Sequence, residues 1–215
     1  MGNLDRQMLT AALAGDLATV EKLTAQGADI NYADSQGNCA VFSAAWEGNQ
    51  KALDLYYQLG AKITFEDCNL LCNAAFNGKI ESVRWLLDKG ESATFTFAST
   101  GENALHYTIC KTSEMEDRAE IVKLLLSAGP DVNQKTLPGK PTLCFMRDAR
   151  LKGETPLHRA AAYGNTTIIK MLLDAGADPS IKDANGDTPI SWGSWHLRGA
   201  DVLRLLVYDG VVGIH

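Results

Sequence analysis

The chain has 215 residues, enough for one or two domains, with 46% hydrophobic and 21% charged residues, the balance of an ordinary soluble folded protein. No apolar run reaches the roughly 20 residues that would cross a bilayer. A formal charge of −6 excludes a general nucleic-acid binder, because phosphate contacts need clustered Lys and Arg.

The start, MGNLDRQMLTAAL, has neither the basic opening nor the long apolar core of a secretory signal. Arg6 stands where a myristoylation motif wants Ser or Thr. Cysteines at 39, 68, 72, 110 and 144 form no disulfide framework, so a reducing cytoplasm is the expected compartment.

Residues 3–33 are expected to be a capping helix pair, with Met8, Val20 and Leu23 in its core and GADIN (27–31) at its close. Residues 34–65 follow, opening on GNCAVFSAA (37–45) and ending in GAKIT (60–64). Residues 66–97 end in GESAT (90–94). A helix over Cys68 and Cys72 would put both sulfurs on one face, either as packing residues or as a metal or redox pair. Residues 98–133 open on GENALHYTI (101–109) and end in GPDVN (129–133). The loop between their two helices is about five residues longer than in the next unit, within KTSEMEDR. Residues 150–182 carry GETPLHRAA (153–161) and GADPS (176–180). Residues 183–215 carry GDTPISWGS (186–194) and finish in VLRLLVYDGVVGIH, more apolar than a polar cap.

The closing anchor recurs, with a bare Gly210 at its end, at spacings of 33, 30, 39, 47 and 34 residues. Each part of the unit has a local cause. Thr155-Pro156 starts a helix, since Thr caps free amides and Pro in the first turn wastes no hydrogen bond. Leu157, Ala160 and Ala161 form one apolar face, and Gly164-Asn165 ends it. Ile168, Ile169, Met171, Leu172 and Leu173 line a second helix, closed by Gly176 in the left-handed position. Asn185-Gly186 marks a hairpin turn. One such unit cannot bury its apolar surface alone, so neighbours must stack.

A period of about 33 residues carrying T-P-L-H-x-A resembles the ankyrin-repeat family, over about 180 of the residues once degenerate units are counted. The resemblance implies an all-α solenoid of about six helix-turn-helix units with short β-hairpin loops, filling a single domain over 1–215. It also implies that His106 and His158, in the T-P-L-H slot, tie hairpins together by hydrogen bonds.

Two departures from the period point to function. Between GPDVN and GETPLH the chain is 14 residues longer than at the corresponding place in the next unit, and the insertion is placed at 134–152. From Lys135 to Arg159 it counts six Lys or Arg against two acids, and it carries the apolar run Leu143, Cys144, Phe145, Met146. It reads as an extended hairpin finger or as a loose loop, and four consecutive apolar residues favour order. The other departure is aromatic. Aligned on the closing Gly of the first helices, one position reads Leu13, Trp46, Phe76, Cys110, Ala162, Trp195. The next reads Ala14, Glu47, Asn77, Lys111, Tyr163, His196. In the family these positions tend to face the concave groove. Large rings there serve as binding anchors or simply pack on one another.

No H-x-x-x-H, C-x-x-C, G-x-S-x-G or phosphate loop is present. The expectation is a monomeric, non-enzymatic module needing no cofactor or metal. It binds a protein or peptide with basic segments, and neither nucleic acid nor membrane. The expected contacts are Trp46, Glu47, Phe76, Asn77, Lys111, Tyr163, Trp195 and His196, with Phe145 and Arg147 on the insertion. Two alternatives stay open. Recognition may run through the insertion against an acidic surface, or the chain is a regulatory subunit or delivered effector acting on an enzyme.

Overall fold

Polar caps start the helices that periodic apolar residues then bury. The computed structural model describes residues 2–65, 68–110, 115–144 and 151–208, of which 115–117 and 208 only by their backbone. Twelve helices lie among the described residues: α1 (Gly2–Leu13), α2 (Leu17–Ala25), α3 (Ala40–Glu47), α4 (Gln50–Gln58), α5 (Leu70–Phe76), α6 (Ile80–Asp88), α7 (Ala104–Thr108), α8 (Met115–Ser127), α9 (Pro156–Tyr163), α10 (Thr166–Asp174), α11 (Pro189–Trp195) and α12 (Ala200–Tyr208). Asp16, Asn49, Asn69 and Asn165 each accept the backbone N–H three residues on, at 3.1, 3.1, 2.8 and 2.9 Å. Those bonds satisfy amides that the helix itself leaves without acceptors. Between helix pairs the chain makes short bridged loops, Ala33–Cys39, Thr64–Asn69 and Thr96–Asn103, and no sheet forms among the described residues.

One sequence expectation fails locally. Asn69 caps α5, so Cys68 lies before the helix and does not share a helical face with Cys72. The Cys68 sulfur accepts instead from Asn73 Nδ2 at 3.4 Å.

The chain divides into two compact units, Met1–Glu91 and Ser92–His215. In the first, α1, α3 and α5 pack in one layer and α2, α4 and α6 in another, each first helix against its own second. Ala44, Ala45, Ala74 and Ala75 are buried where the first helices meet, and Leu53, Tyr56, Leu70, Leu71 and Leu86 fill the space between layers. In the second unit α9 packs against α7 and α11, and α10 against α8 and α12. Its core holds Leu105, Ile109, Ile121, Leu125, Leu157, Ile168, Ile169 and Leu172. Each such side chain contributes about 1.5–3 kcal/mol by leaving water. No helix among the described residues is long and apolar enough to cross a membrane.

The insertion is paired at its base. Gly139 N–H donates to Leu151 O at 3.0 Å and Leu151 N–H to Lys140 O at 2.9 Å. On one side Leu137 N–H reaches Thr100 O at 2.7 Å; on the other Lys152 O receives Ala184 N–H at 2.8 Å. It is therefore laced between the loops before α7 and before α11. Gly101 makes the close approach possible, with φ at +73° and a Cβ there falling 2.8 Å from Lys135 O. Both facts disfavour any side chain. Gly101→Ala is expected to cost about 1–3 kcal/mol, read as a lower urea midpoint. A midpoint equal to wild type would show that this approach relaxes freely.

Candidate functional site

In the first unit, exposed rings occur on both helix layers: Trp46 on α3, and Tyr57 on α4, which is 42% exposed and meets Trp85 edge to face at 5.6 Å. Trp46, on the last turn of α3, is 39% exposed. It stacks on Phe42 one turn earlier, at 6.1 Å between centroids and 20° between planes, and meets Phe76 of α5 at 6.4 Å. Leu13, Asn38, Cys39, Phe42, Ser43 and Trp46 line a cleft of about 290 Å³. Glu47 beside it is exposed; Phe76 and Asn77 are half-buried, and Asn77 Nδ2 donates to Asn73 O at 3.0 Å. The rings therefore pack on one another and still leave Trp46 partly in solvent. Phe42 was missing from the sequence expectation, although its spacing of four from Trp46 in FSAAW puts both on one helical face. Residues 1–91 hold twelve acids and seven bases, so this unit carries five of the six net negative charges. A larger depression of about 450 Å³ lies at Asn3, Asp5, Gln7 and Gln26. Its lining is mixed, with Leu4 among the polar side chains, and Asp5 already accepts Asp29 N–H at 2.9 Å.

In the second unit the same helical position is closed at Cys110 and Ala162, both buried, and open at Trp195, which is 59% exposed. Tyr163 and His196 meet edge to face at 4.8 Å. Just beyond, Leu197 is 91% exposed and holds φ at +53°, where the corresponding places after α1, α3 and α5 have Gly15, Gly48 and Gly78. A leucine in that left-handed conformation costs about 1–2 kcal/mol. Lys111, Phe145 and Arg147 lie outside the described residues.

Two histidines serve the scaffold. His106 Nδ1 accepts Asn103 N–H at 3.2 Å and its Nε2 faces Glu154 O at 3.4 Å. His158 repeats the pattern, with Nδ1 accepting Thr155 N–H at 3.2 Å and Nε2 facing Asp187 O at 3.1 Å. For His158, Nδ1 also faces the Thr155 hydroxyl at 2.9 Å, so an acceptor at Nδ1 and a donor at Nε2 give a neutral ring; His106 Nδ1 lies in addition 2.8 Å from Asn103 Oδ1. Burial, then the nearby Arg159 charge, takes His106 down to about 3. Burial likewise lowers His158.

Beside His106 lies a buried ionic cluster that the sequence expectation did not contain. Arg159 Nη2 donates to Glu102 Oε1 at 2.8 Å and to Glu154 Oε1 at 2.7 Å, and Nη1 donates to His106 O at 3.0 Å. Glu102 also accepts Thr142 Oγ1, Leu143 N–H and Cys144 Sγ, at 2.7, 2.9 and 2.9 Å. Burial, the largest single influence, opposes ionisation of both glutamates; the Arg159 charge together with the hydrogen bonds each carboxylate accepts outweighs it, holding Glu102 below its ordinary value and Glu154 at about 2. Burial pushes the Cys144 thiol well up, so it remains a donor. The repeated Gly-Glu before each T-P-L-H-like run, at 101–102 and 153–154, was the available signal.

No group of three or more His, Cys, Asp or Glu side chains suited to a metal is found among the described residues. What the geometry offers is partly exposed rings on a rigid frame. Helix pairs packed in two layers, with bridged loops between them and a histidine tying each of two loops to the next, define an α-helical repeat protein. The chain belongs to the ankyrin-repeat family: residues 56–136 match "Ankyrin repeats (3 copies)" and residues 147–191 match "Ankyrin repeats (many copies)". It is 26% identical over 207 residues to a human mitochondrial disaggregase, covering 95% of this chain and 26% of that protein. It is 24% identical over 212 residues to the mouse NF-kappa-B inhibitor delta, covering 85% of this chain and 60% of that one. It thus spans less than two thirds of either relative. Among solved structures, a chain from a Bdellovibrio bacteriovorus predatory endopeptidase in complex with an immunity protein superposes with a TM-score of 0.71. That match has 21% identity, covers 93% of this chain and 96% of the other, and speaks for the fold alone. Ankyrin repeats generally mediate protein–protein interaction rather than catalysis.

Proposed function

We propose that this chain is a non-catalytic interaction module, and that the α3–α5 face of its first unit grips a protein or peptide segment with basic residues. The observation carrying this is Trp46. Its indole is braced between Phe42 and Phe76 yet keeps 39% of its surface in water, above a cleft that Leu13 helps to line. Braced rings lose little conformational freedom on binding, and Trp and Tyr are enriched among residues that dominate interfaces. Glu47 and the net negative charge of residues 1–91 suit a cationic partner. Tyr163, Trp195 and His196 form a separate patch on the second unit in the same reading, with Asn77 and Phe76 as supporting contacts on the first. The names of the relatives support a regulatory role: one is called an inhibitor. The compartment follows only from the sequence and is proposed as cytoplasmic.

Affinity capture from the native cell, with the full chain as bait, tests the face. Trp46→Ala is expected to weaken capture at least about tenfold, and Glu47→Lys to weaken it further at low salt. The melting temperature should fall by no more than about 2–4 °C. Capture unchanged in both variants, with the fold intact, would remove this face from the function.

A further inference from the structure

The outward side of the insertion is a second surface, of opposite charge. We propose that Leu137, Lys140 and Leu143, with Lys135 and Lys182 beside them, dock an acidic polypeptide segment carrying an aliphatic or aromatic anchor.

Leu143 is the centre of this assignment. Its own backbone N–H is held by the buried Glu102 carboxylate at 2.9 Å, and the next residue, Cys144, is buried against that same carboxylate. The backbone is thus fixed from beneath, while the Leu143 side chain stays 54% exposed. Leu137 is likewise tied by its N–H to Thr100 O and exposed above it. Two apolar side chains displayed on pinned backbone carry a small ordering cost on binding.

Charge selects the partner. Glu102 and Glu154 are turned inward onto Arg159, and Asp183 is spent on Trp192 Nε1 and the amides of Asn185 and Asp187. Lys140 and Lys182 are exposed, and Lys135 Nζ, also exposed, bonds Lys182 O at 2.7 Å, which draws the two lysines together. Among the described residues of the insertion, 135–144 and 151–152, the charges are Lys135, Lys140 and Lys152 with no acid, in a chain of net −6. A cationic patch with aliphatic centres fits carboxylates around an apolar anchor. Nucleic acid would want aromatic platforms and a basic chain overall.

The test is selection of a random twelve-residue displayed peptide library on the full chain, followed by direct binding of the enriched peptides. The expected result is peptides with net negative charge and one or more Leu, Ile or Phe, weakened at least about tenfold by Lys140→Glu or by Leu143→Ser. Their affinity should fall between about 50 and about 200 mM salt, and Trp46→Ala should leave it unchanged. That last arm separates this surface from the α3–α5 face. Both substituted side chains are exposed, and Leu143→Ser keeps the backbone N–H on Glu102, so the fold is retained. The proposal is overturned by four outcomes: no acidic enrichment, acidic peptides that ignore both substitutions, Lys140-dependent binding only to phosphatidylserine vesicles or an oligonucleotide, or a Lys140-dependent dimer of the chain that occludes the surface.

Discussion

Arg159→Ala is expected to abolish cooperative folding of the second unit. The guanidinium is fully buried and donates to Glu102, Glu154 and the His106 carbonyl. Its removal strands two carboxylates away from water, and breaking even one buried pair costs about 3–5 kcal/mol. A domain of this size has a total stability of about 5–15 kcal/mol, so two stranded charges consume most or all of it. Glu102→Gln should be milder, because Arg159 keeps Glu154 and the amide oxygen can still accept from Arg159, Thr142 and Cys144, with only the Leu143 N–H bond lost. The triple variant Glu102→Gln, Glu154→Gln, Arg159→Met should regain a cooperative transition, since no charge remains to be desolvated. Urea unfolding followed by circular dichroism reads all three. An Arg159→Ala protein within about 1 kcal/mol of wild type would mean that water reaches the cluster and that it does not organise the unit.

Acid should loosen the second unit in two stages. His106 titrates near 6.5 when unfolded and at about 3 when folded. Above pH 6.5 the ring is neutral in both states. As pH falls below 6.5 the unfolded chain takes up the proton first, and stability drains until pH approaches 3. For His106 alone this amounts to about 2 kcal/mol between pH 6.5 and 4.5. His158, also lowered by burial, has the same sign. Glu154 follows: its stabilisation is complete above 4.5 and is lost as pH falls toward about 2. Glu91, in the first unit, has the opposite sign. Burial raises its carboxyl, which only the neutral donors Thr64 and Asn69 offset. Protonation therefore favours the folded form as pH falls through the raised value. Urea midpoints at pH 7, 5.5 and 4.5, in wild type and His106→Gln, check the first stage. Equal slopes in the two proteins would show that His106 is not the proton acceptor that matters.

Much of the fold was legible because its causes are local. The Thr155-Pro156 start, the Gly164-Asn165 break and the apolar faces of α9 and α10 each follow from residues within a few positions of one another. The T-P-L-H histidines were readable through the family resemblance. The aromatic positions were legible in part: alignment placed Trp46 and Trp195 on first helices, where both are exposed. Alignment did not show that Cys110 and Ala162, at the same position, are buried. It did not show that Phe42 braces Trp46 either, because it compared equivalent positions across repeats rather than one turn within a helix. Cys68 was misplaced by assuming a helix where Asn69 begins one.

The sequence by itself determined the repeat, the helix pairs and the excess charge of the insertion. Those properties depend on hydrophobic period, turn chemistry and counting. Only the tertiary structure decided which charges are buried. Glu102 and Arg159 are separated by 57 residues, and Arg159 sits in a repeat slot where an exposed side chain would have looked identical. Burial of an ion depends on partners arriving from elsewhere in the chain, and electrostatic attraction in a low-dielectric interior leaves no periodic mark on the residues between them.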